Sequence, residues 1–172
     1  RAMLLLVRLL RERVGTPVSY ESLARDLEVA PNTVKKYVGI LEALYVVFRV
    51  TPYSDQIARS LLKNPKLYFY DTGLVADDPG ARFENHVAVS LLAHQHALTD
   101  QDGRERRLHL VRTKEGKEVD FCLVTDGRPE LLVEAKTTET DVHKPLVTFA
   151  RSLGVPGVQV VAELRREHEE GG

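Results

Sequence analysis

The chain has 172 residues, 43% of them hydrophobic and 28% charged, with a formal net charge of −1 at pH 7. This composition is typical of a globular protein and excludes an intrinsically disordered chain. No apolar run approaches the roughly 20 residues of a membrane span, and Arg8 and Arg11 interrupt the N-terminal apolar stretch, so we expect neither membrane span nor signal peptide. The single cysteine, Cys122, excludes an internal disulfide and favours a cytoplasmic protein.

The charge is unevenly distributed along the chain. Residues 1–70 contain 11 Lys/Arg and 6 Asp/Glu, a net of +5, whereas residues 71–172 contain 13 Lys/Arg and 19 Asp/Glu, a net of −6. A basic segment suits a nucleic-acid partner. Together with the turn signals around residues 71–80, the asymmetry predicts two modules, at 1–75 and 76–172.

The first module begins with a predicted set of three helices. A leucine-rich helix ends before Gly15, and Ser19 is expected to cap the second helix. Pro31 and Asn32 begin a third helix, whose apolar periodicity continues to Leu44. Three helices with a short turn between the second and third predict a helix-turn-helix.

Two β-rich runs, at 45–50 and 67–70, follow the third helix, and Thr51-Pro52-Tyr53 is expected to break the first run. They could pair as a wing hairpin, with residues 54–66 as its tip or as a small helix. The polar side chains at the start of the third helix could meet DNA phosphates or base edges. These candidates are Asn32, Thr33, Lys35 and Lys36. The alternatives are a solvated helix face and a protein contact.

The second module follows a regular α/β pattern. The predicted elements are a helix at 81–94, strands at 108–112, 117–124 and 131–136, a helix at 142–153 and a strand at 158–161. This order is αβββαβ. The chain contains neither a Walker A pattern nor a GxGxxG loop, so we expect no nucleotide site in it.

Three charged residues stand on two adjacent predicted strands of this module. Glu134 and Lys136 alternate on one side of their strand, and a hairpin would bring Asp120 beside them. The two carboxylates lie opposite each other only if the loop between the strands has an odd number of residues, such as 125–129. Paired carboxylates suit Mg²⁺ or Mn²⁺. Lys136 could then neutralise charge in phosphoryl transfer, and Glu84 could reach the metal from the preceding helix.

This arrangement resembles the PD-(D/E)XK nuclease superfamily, whose site combines a Glu of the first helix, an Asp of the second strand and an E-X-K of the third. Glu84, Asp120, Glu134 and Lys136 match these positions, although Val119 stands where the motif has proline. The resemblance implies a restriction-endonuclease-like fold and a metal-dependent DNA endonuclease site. The metal ligands would be Glu84, Asp120 and Glu134.

Nearly the whole chain resembles something narrower, the C-terminal half of a prokaryotic AAA+-type ATPase family. The stretches that carry this resemblance are "VSYESLARDLEVAPNTVKKYVGILEALYVVFRVTPY", "PKLYFYDTGL", "FENHVAVSLL", "EVDFCLV" and "VEAKTT". The resemblance implies DNA as a partner and an ATPase domain upstream in the same protein. Whether the nuclease-like site cleaves DNA is left open by it.

Other interpretations compete with the nuclease site. Asp120, Glu134 and Lys136 could form a surface salt-bridge ladder across two strands. Glu84 could cap its helix or bind the turn at Asp71. The whole segment could be a non-catalytic nucleic-acid or protein-binding module of the ATPase, with a degenerate nuclease fold.

Overall fold

A computed structural model describes residues 1–54, 64–138 and 141–163. This part of the chain is a mixed α/β structure with helices packed on one six-stranded sheet. Its helices are α1 (Ala2–Arg11), α2 (Tyr20–Leu27), α3 (Pro31–Ala43), α4 (Pro79–Asp102) and α5 (Lys144–Leu153), with a 3-10 turn at Thr72–Leu74. Its strands are β1 (Val47–Pro52), β2 (Lys66–Phe69), β3 (Arg106–Arg112), β4 (Glu118–Thr125), β5 (Arg128–Thr138) and β6 (Gly157–Glu163).

The first three helices form where the sequence predicts them. The Ser19 side chain caps α2 by accepting a hydrogen bond from the Ser22 backbone N–H at 3.2 Å. Glu28 ends α2 in the left-handed conformation, and α3 begins three residues later with Pro31 at its first position. Proline suits that position because its fixed φ fits a helix and it lacks only an N–H that has no partner there.

An antiparallel pair of strands, β1 and β2, follows α3. The predicted break at Thr51-Pro52 is wrong, because β1 continues through both residues and pairs in parallel with His109 and Leu110 of β3. A proline is tolerated there because the pairing of β1 with β2 ends at Val50, so Pro52 lies at an edge on that side. The next N–H, of Tyr53, donates to the Leu110 carbonyl of β3. Most of the predicted hairpin tip, residues 55–63, lies outside the described residues.

One sheet runs through both halves of the chain. Its strand order is β2-β1-β3-β4-β5-β6, with β1–β3 and β5–β6 parallel and the other pairs antiparallel. The main core is likewise shared, since buried Leu6, Val38 and Val50 belong to the same apolar cluster as Val87 and Phe121. The division at residue 75 stays a prediction, but the two halves pack on one another.

The second half has the predicted order αβββαβ. Its first helix is longer than predicted, since α4 continues to Asp102 and ends at Gly103 with a φ of 72°. The residues after His94 are mostly polar, so apolar periodicity did not predict that the helix continues through them. Gln95 is buried there, and its amide donates to the Arg107 carbonyl at 3.4 Å. None of the helices that the structure describes is long and apolar enough to cross a membrane.

The turn between β4 and β5 differs from the predicted five-residue loop at 125–129. The strands extend to Thr125 and Arg128, and the turn is Asp126-Gly127, with φ values of 49° and 79°. A two-residue turn alone would put Asp120 and Glu134 on opposite sides. However, the register shifts by one residue between Leu123, which pairs with Leu131, and Val124, which pairs with Pro129.

The extra residue in β5 is Glu130. This β-bulge returns Asp120 and Glu134 to the same side of the sheet. Below it, Phe121 pairs with Val133, which brings Asp120 next to Glu134 in register. The loop length was therefore predicted wrongly, whereas the neighbourhood of the two carboxylates was predicted correctly. Glu130 is held by the Thr125 hydroxyl, which donates to its carboxylate at 2.6 Å.

Candidate functional site

The two central carboxylates lie where β4 and β5 stop pairing. Beyond Phe121 and Val133 the backbone N–H groups bond to side chains instead of the opposite strand. The Asp120 N–H donates to Glu134 Oε2 at 3.3 Å, and the Ala135 N–H donates to Asp120 Oδ2 at 3.1 Å. Buried N–H groups need such partners. Each carboxylate therefore bonds the strand that carries the other, which fixes their spacing.

Lys66, the first residue of β2, extends into this region. Its side chain is 3% exposed, and its Nζ lies 3.0 Å from Glu84 Oε1, 2.6 Å from Glu118 Oε1 and 3.1 Å from Asp120 Oδ1. An ammonium group has three donors and no acceptor, so the three carboxylates match its capacity. We call these four residues the Lys66 cluster.

The position of Lys66 is set by its neighbours on both sides of β2. The Val18 N–H donates to the Pro65 carbonyl at 2.8 Å, which ties the start of β2 to the segment after α1. On α4, the buried Asn85 accepts from the Phe69 N–H at 2.8 Å and donates to the Phe69 carbonyl at 2.9 Å. Because Asn85 follows Glu84 in the chain, this clamp holds α4 and its carboxylate against β2.

Glu84 has further contacts besides Lys66. Its Oε1 accepts from the Tyr68 hydroxyl at 2.6 Å as well as from Lys66. Gly15 approaches it so closely that a Cβ at that position would lie 2.7 Å from Glu84 Oε2. The predicted alternatives for Glu84 are wrong, because Asp78 caps α4 and Asp71 bonds the Gly73 N–H.

Burial and charge act against each other in the Lys66 cluster. Burial alone would lower the pKa of Lys66, but the charges of Glu84, Asp120 and Glu118 outweigh it and raise that pKa above its ordinary value. Burial, and then the charge of Asp120, raise the pKa of Glu84 above its ordinary value, although Lys66 and Tyr68 offset part of this effect. Burial and the charge of Glu84 also raise the pKa of the Tyr68 hydroxyl. Lys66 is therefore cationic at neutral pH.

Glu134 has partners of its own outside the Lys66 cluster. The residue is 2% exposed, so the predicted alternative of a surface salt-bridge ladder is wrong. Its Oε1 lies 2.6 Å from Lys136 Nζ and 2.8 Å from His143 Nδ1. Lys136 is partly exposed, at 34% of its side chain. Lys136 is more exposed than the carboxylates of the Lys66 cluster, whose side chains are 13–22% exposed.

The charges of the site are nearly balanced. Glu118 also pairs with Arg112, so four carboxylates face three permanent cations. The carboxylates are Glu84, Glu118, Asp120 and Glu134, and the cations are Lys66, Arg112 and Lys136. Because Lys66 already bonds Glu84 and Asp120, and Glu134 bonds other partners, the three predicted ligands do not fit a shared divalent ion as they are placed. Within the ranges 1–54, 64–138 and 141–163, no group of three or more His, Cys, Asp or Glu side chains is arranged to hold a metal.

The structure thus brings the four predicted nuclease residues to one place but adds members that the sequence analysis missed. Glu118 could have been found, because it stands two residues before Asp120 on the same strand. Lys66 gave a weaker signal, a lysine directly before the apolar run 67–69. His143 gave none, since it belongs to the segment before α5 and meets Glu134 only in the fold.

The predicted nucleic-acid-binding residues lie apart from this site, on the first turns of α3. Asn32, Lys35 and Lys36 are exposed and Thr33 is half-buried. Neither lysine forms an ion pair with any residue that the structure describes. The first backbone N–H groups of α3 have no side-chain cap. This surface is therefore available to a partner.

Comparison with known proteins finds relatives in bacteria and archaea. "Uncharacterized protein Rv2008c" of Mycobacterium tuberculosis and "Uncharacterized protein Mb2031c" of Mycobacterium bovis are each 31% identical over 129 residues, which cover 67% of this chain and 27% of theirs. "Uncharacterized protein MJ1637" of Methanocaldococcus jannaschii is 26% identical over 174 residues, which cover 94% of this chain and 35% of its own. The chain therefore spans about a third or less of these relatives.

No solved structure was found to match the chain. Residues 1–78 match the family model described as "Domain of unknown function (DUF8612)". Residues 79–171, more than half of the chain, match the model described as "Domain of unknown function (DUF4143)". Lys66 lies in the first match, and the carboxylates that it contacts lie in the second. By the second match, the chain belongs to the DUF4143 family.

Proposed function

We propose that the chain is the DNA-binding C-terminal segment of an AAA+-type ATP-binding protein. In this proposal α1–α3 and the β1–β2 hairpin form a winged helix-turn-helix, and the second half is a restriction-endonuclease-like domain in a non-catalytic form. The observation that carries the DNA-binding function is the exposed basic surface at the start of α3, whose lysines form no ion pair with the residues that the structure describes.

Several properties of that surface suit a duplex. Lys35 and Lys36 are exposed and form no ion pair among the described residues, so a phosphate would not have to displace one of these residues. No side chain caps the N-terminus of α3, so this end presents the positive end of the helix dipole. Asn32 is exposed beside them, and asparagine can bind an adenine edge in the major groove. Phosphate contacts would position the helix, and Asn32 would supply base contact.

The non-catalytic form is favoured by the state of the acidic site. Phosphodiester hydrolysis in nucleases of this type uses carboxylates to hold a metal, whereas here Lys66 Nζ bonds Glu84 and Asp120. The second half of the chain also lacks excess positive charge, with a net of −6 over residues 71–172. A polyanion is thus attracted to α3 more than to the acidic site.

The link to an ATPase rests on the resemblance described above and on length. The chain corresponds to 27% of the mycobacterial relatives and 35% of the archaeal one. The remaining part of such proteins has room for an ATPase domain. ATP hydrolysis would then belong to that part, and this segment would bring the ATPase domain to DNA.

Duplex binding tests the proposal directly. Lys35→Ala with Lys36→Ala should weaken binding and reduce the slope of log affinity against log salt by about 1–2. The matched control is Lys114→Ala with Lys117→Ala, which removes two exposed lysines from the β3–β4 turn. Equal affinity of both double variants and wild type would reject α3 as the DNA contact.

A metal-dependent nuclease is the second candidate, favoured by the adjacency of Asp120, Glu134 and Lys136. It predicts nicking of plasmid DNA with Mn²⁺ that is lost in Glu134→Ala and in Lys136→Ala. Equal background nicking by wild type and both variants would reject it in favour of the non-catalytic form.

A further inference from the structure

The fit of Lys66 to its surroundings has a consequence for metal binding that does not depend on DNA binding. Three carboxylate oxygens, from Glu84, Glu118 and Asp120, converge on one point from α4 and β4. Without a cation at that point they would repel one another in a buried region, which proteins avoid by binding a cation or a proton. In this chain the cation is a side chain.

We propose that the Lys66 ammonium is the resident cation of this cluster and takes the position of a divalent metal, so that the wild-type cluster does not bind one. Lys66 uses its three donors on three carboxylates, and its side chain is 97% removed from solvent. A divalent ion could enter only if this side chain left, and Lys66 would then lose all three partners. The cluster is closed by the chain itself.

The same geometry predicts what happens when Lys66 is removed. The three oxygens lie 2.6–3.1 Å from Nζ, and they would have to move inward by about 0.5–1 Å to reach the roughly 2.1 Å of a Mg²⁺ ligand. Carboxylate side chains can make such a movement by small torsional changes. Lys66→Met, which keeps most of the side-chain volume and removes the charge, should therefore convert the cluster into a divalent-metal site.

The Lys66 cluster joins the two halves of the chain, and this packing keeps Lys66 in the position that a metal would occupy. Lys66 comes from β2, whereas Glu84, Glu118 and Asp120 come from α4 and β4. The backbone of β2 is held at Phe69 by Asn85 and at Pro65 by the Val18 N–H, and the Lys66 side chain is held by its three carboxylate partners. Exclusion of metal by the wild-type chain is thus a property of its packing.

The test uses MnCl2 as the probe, with NaCl of equal ionic strength as reference. The electron paramagnetic resonance signal of free Mn²⁺ should be unchanged by wild type and should fall by one equivalent with Lys66→Met. The melting temperature of Lys66→Met should rise by about 5–10 °C at a Mn²⁺ concentration 100 times the dissociation constant, whereas that of wild type should not change. Adding Asp120→Asn to Lys66→Met should abolish both effects.

A second variant covers the risk that Lys66→Met alone does not fold. Lys66→Met with Glu118→Gln removes one negative charge together with the positive one and leaves Glu84 and Asp120 as ligands. Mn²⁺ binding by either folded variant, or Mn²⁺-dependent refolding of either, supports the proposal. It is overturned if wild type binds one equivalent of Mn²⁺ that Asp120→Asn removes, or if neither variant binds Mn²⁺ in any of these assays.

Discussion

Two charged regions of the molecule, the Lys66 cluster and the start of α3, are built on different principles. In the cluster a 3%-exposed ammonium contacts three carboxylates. On α3, Lys35 and Lys36 are exposed and form no ion pair with the described residues. A buried charge must be paired by the fold itself, whereas an exposed lysine is solvated by water and lowers the stability little when it has no ion-pair partner. The comparison separates charges that hold the structure together from charges that remain free to bind.

The largest effect is expected from removing the cation of the buried region. Lys66→Met leaves three carboxylates without their shared partner and should lower the free energy of unfolding by about 3–5 kcal/mol in the absence of divalent ions. Urea denaturation measures this change. A loss below about 1 kcal/mol would mean that the cluster is screened by water, and the contrast with α3 would not hold.

The close approach of the first half to the cluster gives the next prediction. Gly15 and Gly103 have φ values of +73° and +72°, but a Cβ at Gly15 meets the Glu84 carboxylate whereas one at Gly103 meets nothing within 4 Å. Gly103→Ala should cost about 1 kcal/mol through backbone strain alone. Gly15→Ala should cost about 2–4 kcal/mol, because it adds the displacement of Glu84. Equal losses in urea denaturation would show that Glu84 moves away freely.

The raised pKa of Glu84 predicts a dependence on pH. Because burial and the charge of Asp120 raise this pKa above 4.5, the folded chain holds the proton more readily than the unfolded chain. The contribution of Glu84 is therefore present below pH 4.5 and is lost as the pH rises through the folded-state pKa. The stability of wild type relative to Glu84→Gln should fall over that range, by about 1.4 kcal/mol for every unit between the two pKa values.

Glu115 provides the control of opposite sign. Hydrogen bonds from its own backbone and from Thr113 lower the pKa of this exposed carboxyl, so its contribution is present above pH 4.5 and is lost as the pH falls. Denaturation midpoints of wild type, Glu84→Gln and Glu115→Gln between pH 3.5 and 8 would separate the two slopes. Slopes of the same sign for both residues would contradict the electrostatic account of the cluster.

The smallest effect is expected on the exposed side of the comparison. Lys35→Ala with Lys36→Ala should change the free energy of unfolding by no more than about 0.5 kcal/mol, because both side chains are exposed and form no ion pair within residues 1–54, 64–138 and 141–163. Thermal and urea denaturation would measure it. A loss of 2 kcal/mol or more would give these lysines a structural role and weaken their assignment to a nucleic-acid contact.

Local signals in the sequence predicted much of the fold. The cap at Ser19, the helix start at Pro31 and the alternation on β4 and β5 are short-range effects, and the structure confirms the elements that they predict. The errors arose where tertiary contacts decide the outcome. Pairing with β3 carries β1 through Pro52, and the buried amide of Gln95 extends α4 through a polar stretch.

The candidate site was predicted in part for the same reason. Asp120, Glu134 and Lys136 lie on adjacent strands, so alternation and a hairpin suffice to bring them together. Lys66 is 54 residues away from Asp120 in the chain, and no local pattern relates them. The bulge at Glu130 was also invisible, although it sets the parity of the hairpin. Long-range pairing of charges is the part of the site that needs a structure.

The most direct measurement of the central claim is a crystal structure of the wild-type chain grown in the presence of MnCl2. Diffraction data would be collected at the manganese absorption edge. The account predicts density for the Lys66 ammonium among Glu84, Glu118 and Asp120, at the distances given above, and no anomalous peak there. An anomalous peak between these carboxylates, with the Lys66 side chain turned away, would contradict it.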